Sequence, residues 1–323
     1  KGVFGKMRIG INGLGRIGKH IFHLAKEDPD VEIVAINELH LDTTNWLYML
    51  KYDTIYGKRE VSLDNIRTSH CEHIDEVEWD CDIVVDCTGV HENVIRAKHI
   101  SPKVVFTHCT DDIDFTMVLG VNEEQYRGER VISASICDAT AIAPITKLID
   151  DTYHITSGYV TTLHPWLSYQ NIMDGSPASW GKPGETFYHY PLGRSAVNNM
   201  IPKPTSAMDE VYRVLKIPNI GSMSYRTPLQ IVGSADITYY VNDKVTKDNL
   251  LKLLLEYEKN QTYKIIKNSS EPLVSTDYIG EEYSCINDLR WLNVIGDNLI
   301  KLVLWYDNEY GYSCNVMRQL KLL

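Results

Sequence analysis

The feature that most constrains this chain lies near its start. The run RIGIN, residues 8 to 12, leads directly into Gly13-Leu14-Gly15-Arg16-Ile17-Gly18 and then into GKHIFHLAKE, where Ile21, Leu24 and Ala25 fall at helical spacing. A β-branched run, a three-glycine turn and an amphipathic helix, in that order, open a βαβ unit. The glycines permit a tight turn and close approach of the backbone to a pyrophosphate, and the helix N-terminus offers N–H groups and partial positive charge. A second run, VEIVAIN (31 to 37), ends at Asn37 and Glu38. Glu38 lies about 20 residues past the last glycine, where an acid accepts hydrogen bonds from ribose hydroxyls and repels a 2′-phosphate. The pattern therefore points to NAD rather than NADP.

The rest of the first half repeats this grammar. DIVVDCTG (82 to 89), KVVFTH (103 to 108) and RVISAS (130 to 135) alternate with helical stretches, which predicts a mostly parallel sheet covered by helices. From about Tyr153 the runs lengthen: TSGYVTTLH, YRTPLQIVGSADITYYV and NLIKLVLWYD suit a broad antiparallel sheet with one covered face. ATAIAPITKLIDD, VTKDNLLKLLLEYEKN from Thr246, and the terminal YSCNVMRQLKLL read as helices. The stretch from Asp174 to Arg194 is too long for an ordinary connection. With Trp180, Phe187, Tyr188, His189 and Tyr190 it is expected to serve function or an interface. At 323 residues the chain exceeds one core, so two domains are expected.

The net charge of −11 speaks against nucleic acid, which is held by Lys and Arg in excess. With 44% hydrophobic and 23% charged residues and no apolar run of bilayer length, the expectation is a soluble globular protein with no membrane partner. Seven cysteines without a C-x-x-C pair suggest a reducing compartment, the cytoplasm.

Two residues are candidates for chemistry. Cys137, in ISASICDATAIAP (132 to 144), stands at a strand-to-helix junction, where helix-end N–H groups favour a thiolate. His164, in TTLHPW, ends a strand in the other half. The residues alone leave Cys137 either a nucleophile or an inert buried thiol, and the spacing does not bring the two together. Paired, they would supply the nucleophile and general base that acyl-transfer or aldehyde chemistry needs.

RIGINGLGRIGKHIF, AINEL, LKYDTIYGK, DCTGV, Cys137 ahead of its Ala-Pro helix, TTLH, IPKPTSA, YRTP and WYDNEYGYS stand in the order and spacing of the glyceraldehyde-3-phosphate dehydrogenase family, from Met7 to the C-terminus. Within that family the chain most resembles erythrose-4-phosphate dehydrogenases, through NEL, KYDT, DCTGV and KLIDDTYHITSGYVTTLH. The resemblance implies an α/β fold: a Rossmann-type, doubly wound NAD-binding domain over residues 7–136 and 309–323, and an α+β catalytic domain with a mostly antiparallel sheet over 137–308. It implies that Cys137 attacks an aldehyde, that His164 activates the thiol and moves protons, that hydride passes to NAD, and that the protein is a homotetramer. Gly13, Gly15, Arg16, Ile17, Gly18, Asn37, Glu38, Thr88 and Thr107 would lie around the dinucleotide, and Asn308 would orient the nicotinamide. Arg226, Thr205 and Ser206 match anion-binding positions, and Arg194 lies in the equivalent of the interface loop.

The chain departs from its relatives beside the cysteine. Where the family reads Ser-Asn-Ala-Ser-Cys-Thr-Thr-Asn, this sequence reads Ser-Ala-Ser-Ile-Cys-Asp-Ala-Thr. The carboxylate of Asp138, at about 6 Å from an incoming phosphate, would oppose each unit of its charge by roughly 2–3 kcal/mol at an effective dielectric near 20. It would also raise the pKa of Cys137, against the helix end. Asp138 can equally be an ordinary first-turn acid. Leu167 and Ser206 stand where the family has threonine and glycine. The expectation is an NAD-dependent aldehyde dehydrogenase whose thioester goes to water. The alternatives are the phosphorylating reaction with Asp138 neutralised, and an NAD-binding paralogue without turnover.

Overall fold

The computed structural model describes residues 5–40, 42–177 and 189–323. The chain divides into two compact units. The first comprises Lys1–Thr116, Tyr126–Ala134 and Val316–Leu323; the second comprises Met117–Gln125 and Ser135–Asn315.

In the first unit, β1 (Met7–Asn12), β2 (Val31–Asn37), β5 (Arg67–Ser69), β6 (Ile83–Asp86), β7 (Lys103–Phe106), β8 (Phe115–Thr116) and β9 (Val131–Ser133) form one sheet in the order β5-β2-β1-β6-β7-β9-β8. Every pairing in it is parallel. A parallel sheet buries both faces, which explains the unbroken apolar runs IVV and VVF in β6 and β7. Helices α1 (Arg16–Glu27), α2 (Thr43–Lys51) and α3 (Glu92–Arg96) and the small hairpin of β3 (Tyr52–Asp53) and β4 (Gly57–Lys58) complete the unit's main elements. Val84, Val104, Phe106 and Val131 pack with Ile74, Val94 and Ala97 into its core.

The second unit opens on α4 (Cys137–Tyr153). Every residue from Asp138 to Thr146 is buried, and a helix without an exposed face belongs inside a core. Around it lies an eight-stranded sheet of β10 (Ile155–Pro165), β11 (Ile201–Lys203), β12 (Ile220–Thr227), β13 (Gly233–Val241), β14 (Ile266–Ser269), β15 (Cys285–Asp288), β16 (Asn293–Ile295) and β17 (Leu299–Tyr306). Its path is β11-β12-β10-β13-β17-β15-β14, with β16 beside β17. Alternation in β17 buries one side chain in two, as a sheet with one covered face requires. Helices α5 (Ala207–Leu215) and α6 (Lys247–Asn260) follow, and α7 (Tyr310–Leu320) begins in this unit while its residues from Val316 on belong to the first.

The sheet is mostly antiparallel, as expected, with β10 parallel to β12 and β14 parallel to β15 as its two parallel pairings. One expectation needs correction. The run YRTPLQIVGSADITYYV is two strands rather than one, because β12 ends at Thr227, before Pro228, and β13 begins at Gly233. Proline lacks the N–H that a central strand must donate.

Candidate active site

In the first unit the strand order reverses beside β1, and open α/β sheets bind ligands at the carboxyl ends of strands at such a point. There the chain makes its glycine turn. Gly13 has φ +92° and its N–H donates to Asn37 O at 2.8 Å. A Cβ on Gly18 would stand 1.9 Å from Gly13 O, so that glycine is demanded by the turn itself. A Cβ on Gly15 would meet nothing within 4 Å. Gly15 is the N-cap of α1 and no side chain caps the helix there. Open space in front of an uncapped helix N-terminus fits a pyrophosphate. Ile17, one turn position on, is half-buried.

The neighbouring side chains hold this turn. Glu38 accepts from Leu14 N at 2.7 Å and from His40 N at 3.3 Å. The amide of Asn37 is taken by Asn12, Ser69 and Cys71, so its part here is to fix the turn rather than to face a ligand. Arg16 pairs with Asp53 at 2.5 Å and Lys19 with the same carboxylate at 2.8 Å. Burial works to raise the Asp53 carboxyl, but those two cations and the N–H groups of Tyr56 and Ile55 outweigh it and hold the group below its usual range. Thr88 donates to Asp86 through both N and Oγ1, at 3.0 and 2.7 Å, and Thr107 Oγ1 donates to Asp86 O at 3.1 Å. Asp86 is fully buried and burial pushes it up to about 6, while Thr88, Asn12 and Asn93 work against that. Asp53 and Asp86 were not foreseen as site residues, since neither belongs to the glycine pattern.

In the second unit the reactive pair meets. Cys137 is the first residue of α4 and His164 lies near the end of β10, and Sγ stands 3.5 Å from His164 Nε2. His164 Nδ1 is 2.7 Å from Pro165 O. A carbonyl can only accept, so Nδ1 carries the proton and Nε2 presents its lone pair to the thiol. Asp138 does not cap the helix. Its carboxylate is buried, accepts from Tyr306 Oη, and lies within 4.8 Å of both Cys137 Sγ and a ring nitrogen of His164. Burial first, and then Asp138, push the Cys137 thiol well above the usual cysteine value; the Asp138 N–H and Arg226 offset this only in part. The helix end therefore does not prevail. His164 is shifted down, by burial first and by Arg226, with Asp138 opposing. The resting pair is thiol and neutral imidazole.

Strand register brings the cations to it. In the parallel pairing of β10 and β12, His164 stands opposite Arg226, and β11 places Lys203 on the next strand. Arg226 is buried and donates from Nη1 to Gln170 Oε1 at 2.8 Å and to Tyr169 Oη at 3.3 Å, while its Nε has no hydrogen-bond partner among the described residues. Burial and Arg226 lower Lys203 to about 8, with Asp138 opposing. A buried guanidinium edge and a second cation make this corner of the site positively charged, which suits an anion.

The remaining expected residues are spread more widely. Thr205 Oγ1 accepts from Ala207 N at 3.1 Å, and Ser206 is the exposed N-cap of α5. Arg194 is exposed and paired with Asp174 at 2.7 Å. Leu167 N donates to Gln170 Oε1, the same oxygen that receives Arg226. Asn308 is buried, and its Oδ1 accepts from the N–H of Val232, a β-branched residue held at φ +74°. Trp180, Phe187 and Tyr188 lie outside the described residues. His189 contacts Pro202 O at 2.9 Å and Tyr190 is exposed. Sequence reasoning missed Lys203, Gln170 and Tyr306; the only signal was their place inside IPKPTSA, beside TTLHPW and inside WYDNEYGYS.

A family model described as "Glyceraldehyde 3-phosphate dehydrogenase, NAD binding domain" matches residues 7–94, and one described as "Glyceraldehyde 3-phosphate dehydrogenase, C-terminal domain" matches 136–308. The glyceraldehyde-3-phosphate dehydrogenase of Colletotrichum lindemuthianum is 34% identical, over 96% of this chain and 95% of its own length. That of Buchnera aphidicola subsp. Schizaphis graminum is 33% identical over 98% of each, and the cytosolic enzyme of Taxus baccata 32% identical over 98% and 97%. With its glycine turn, its paired Cys137 and His164, and these matches along nearly the whole length, the chain belongs to the glyceraldehyde-3-phosphate dehydrogenase family of NAD-dependent oxidoreductases.

Proposed function

We propose that the protein oxidises a phosphorylated or sugar-derived aldehyde through a Cys137 thioester and that water, rather than phosphate, releases the acid. The observation that carries this reading is the Cys137–His164 contact of 3.5 Å with a buried carboxylate, Asp138, beside both atoms. Cys137 Sγ adds to the aldehyde carbon while His164 Nε2 takes the thiol proton and hands it to the carbonyl oxygen, which leaves a thiohemiacetal hydroxyl and a neutral imidazole. NAD, when bound, would accept the hydride from the thiohemiacetal carbon; His164 takes the hydroxyl proton and releases it to solvent, so that a thioester and a neutral imidazole remain. Water then attacks that carbon with His164 as base, and the thiolate leaves and is reprotonated. The sum is aldehyde, NAD⁺ and water to acid, NADH and a proton.

Arg226 Nε and Lys203 supply the anchor for the substrate's own anionic group. Asp138 repels a second anion at the thioester and leaves a neutral nucleophile unaffected. The erythrose-4-phosphate-like segments and the anion corner make four-carbon and three-carbon aldehyde phosphates the first candidates. A homotetramer in the cytoplasm is part of the same proposal, on the family resemblance. The phosphorylating reaction is the second reading. It is favoured by the names of the relatives and by the two cations that offset Asp138.

Intact-mass detection of an acyl adduct on Cys137, across aldehydes that include erythrose 4-phosphate and glyceraldehyde 3-phosphate, decides among these readings. The expected result is an NADH burst with an adduct that decays equally fast in phosphate and in inert buffer. Strong acceleration by phosphate or arsenate would establish the phosphorylating reaction instead. NAD binding without any adduct would leave only a non-catalytic paralogue.

A further inference from the structure

Three metal-ligating atoms converge at this site, where most cysteine–histidine pairs present two. Cys137 Sγ, a ring nitrogen of His164 and a carboxylate oxygen of Asp138 all lie within 4.8 Å of one another, and the nitrogen that faces the sulfur is Nε2. Bonds of about 2.0–2.3 Å around a tetrahedral ion place its ligands roughly 3.3–3.8 Å apart. The sulfur and nitrogen already stand at 3.5 Å, and the carboxylate needs to close by no more than about 1.5 Å.

The second set of contacts is the one metal sites use. A ligating histidine commonly donates its other ring N–H to a backbone carbonyl, and a ligating carboxylate is itself hydrogen-bonded. His164 Nδ1 donates to Pro165 O at 2.7 Å, and Tyr306 Oη donates to Asp138 Oδ1, which leaves Oδ2 for another partner. Gly233 makes room for this tyrosine: a Cβ there would stand 2.6 Å from the Tyr306 ring. All three ligand-bearing side chains are held on regular elements, two on α4 and one on β10.

We propose that Cys137, Asp138 and His164 bind a zinc-class divalent cation, with a fourth position left to solvent, and that the bound ion holds the nucleophile idle. One sulfur, one imidazole nitrogen and one carboxylate oxygen are the ligands such an ion takes in preference to calcium or magnesium, which choose oxygen alone. On binding, the Cys137 thiol releases its proton to solvent and no electrons move. The thiolate and carboxylate together carry two negative charges and neutralise the ion. Arg226 and Lys203 face the same site, so binding is opposed from that side and the ion is exchangeable rather than permanent.

The cation site stands on geometry alone. Its inhibitory effect rests on the reading of Cys137 as the nucleophile. Cobalt titrated into the full-length protein is the direct probe. The expected result is one equivalent of tetrahedral visible absorption with a thiolate-to-cobalt band in the near ultraviolet, both displaced by zinc. Cys137→Ser should abolish the thiolate band despite the six other cysteines, and Asp138→Asn should weaken zinc at least tenfold against a chromophoric chelator while the far-ultraviolet circular dichroism is unchanged. A missing thiolate band, or equal zinc affinity in Asp138→Asn, overturns the site. If the band appears but zinc leaves the NADH burst unslowed, with no relief on adding chelator, the site stands and the inhibition proposed here fails.

Discussion

A carboxylate one residue past a nucleophilic cysteine alters what the thiol can do near neutral pH. At 4.8 Å or less, with an effective dielectric near 20, Asp138 opposes a Cys137 thiolate by on the order of 3 kcal/mol. That is about two pH units, or roughly a hundredfold in thiolate population. A less basic thiolate is also a poorer nucleophile, with a Brønsted slope of about 0.5, so roughly tenfold survives as a rate. Asp138→Asn should therefore be alkylated at Cys137 by iodoacetamide about tenfold faster than wild type at pH 8. Equal rates would mean that the carboxylate does not press on the sulfur. Because burial is the larger cause of the raised thiol, the variant's rate should still climb through pH 9 without a plateau.

Helix α1 carries a buried polar stripe that hydrophobic periodicity does not predict. Lys19, His20 and His23 share its inner surface with Ile21, Phe22 and Ala25. Lys19 pairs with Asp53, the His20 ring packs edge-on against Tyr56, and His23 Nε2 lies 2.9 Å from Leu50 O. Burial lowers His23 to about 4, below the ordinary 6.5. The folded form thus binds fewer protons than the unfolded chain between those values. The stabilising share of a neutral His23 is complete above pH 6.5 and is lost as pH falls toward 4, by roughly 3 kcal/mol. His108, also lowered to about 4, acts in the same sense, while Asp86, raised to about 6, acts in the opposite one. His23→Gln keeps a donor for Leu50 O and removes the titration. Its stability relative to wild type, from denaturant unfolding, should improve by roughly 3 kcal/mol between pH 7 and pH 4. A difference independent of pH would assign the acid sensitivity elsewhere.

For the molecule as a whole, a ligand that binds only the folded state adds stability by mass action, about 2.7 kcal/mol at a hundred times its Kd. NAD should raise the unfolding temperature of the wild type in this way. Gly15→Ala should keep the unliganded unfolding temperature, since its Cβ meets nothing and its φ is −70°, yet lose most of the shift with NAD. A full shift in that variant would place the pyrophosphate away from the turn. Gly18→Ala, by contrast, must displace Gly13 O and should destabilise the protein with or without NAD.

The division between what could be read and what could not follows the range of the interactions. Strand–turn–helix order, the glycine pattern and the helix caps depend on neighbours in the chain. Residues 8 to 37 therefore announced β1, α1 and β2 to within a residue or two, and Thr246 announced the start of α6. Asp86, Asp53 and the stripe of α1 were silent because burying a polar group is tolerated only when a distant partner satisfies it, and no local pattern records that partner. The same holds at the reactive centre. Residue order alone points to a dinucleotide-binding first half and to two candidate groups, Cys137 and His164. Only the tertiary structure brought them to 3.5 Å, set Arg226 opposite His164 through strand register, and turned Asp138 from a helix-end acid into a carboxylate aimed at the thiol and held by Tyr306, 168 residues away. Hydrogen bonds and Coulomb forces act over a few ångströms of space, and sequence distance does not measure that space.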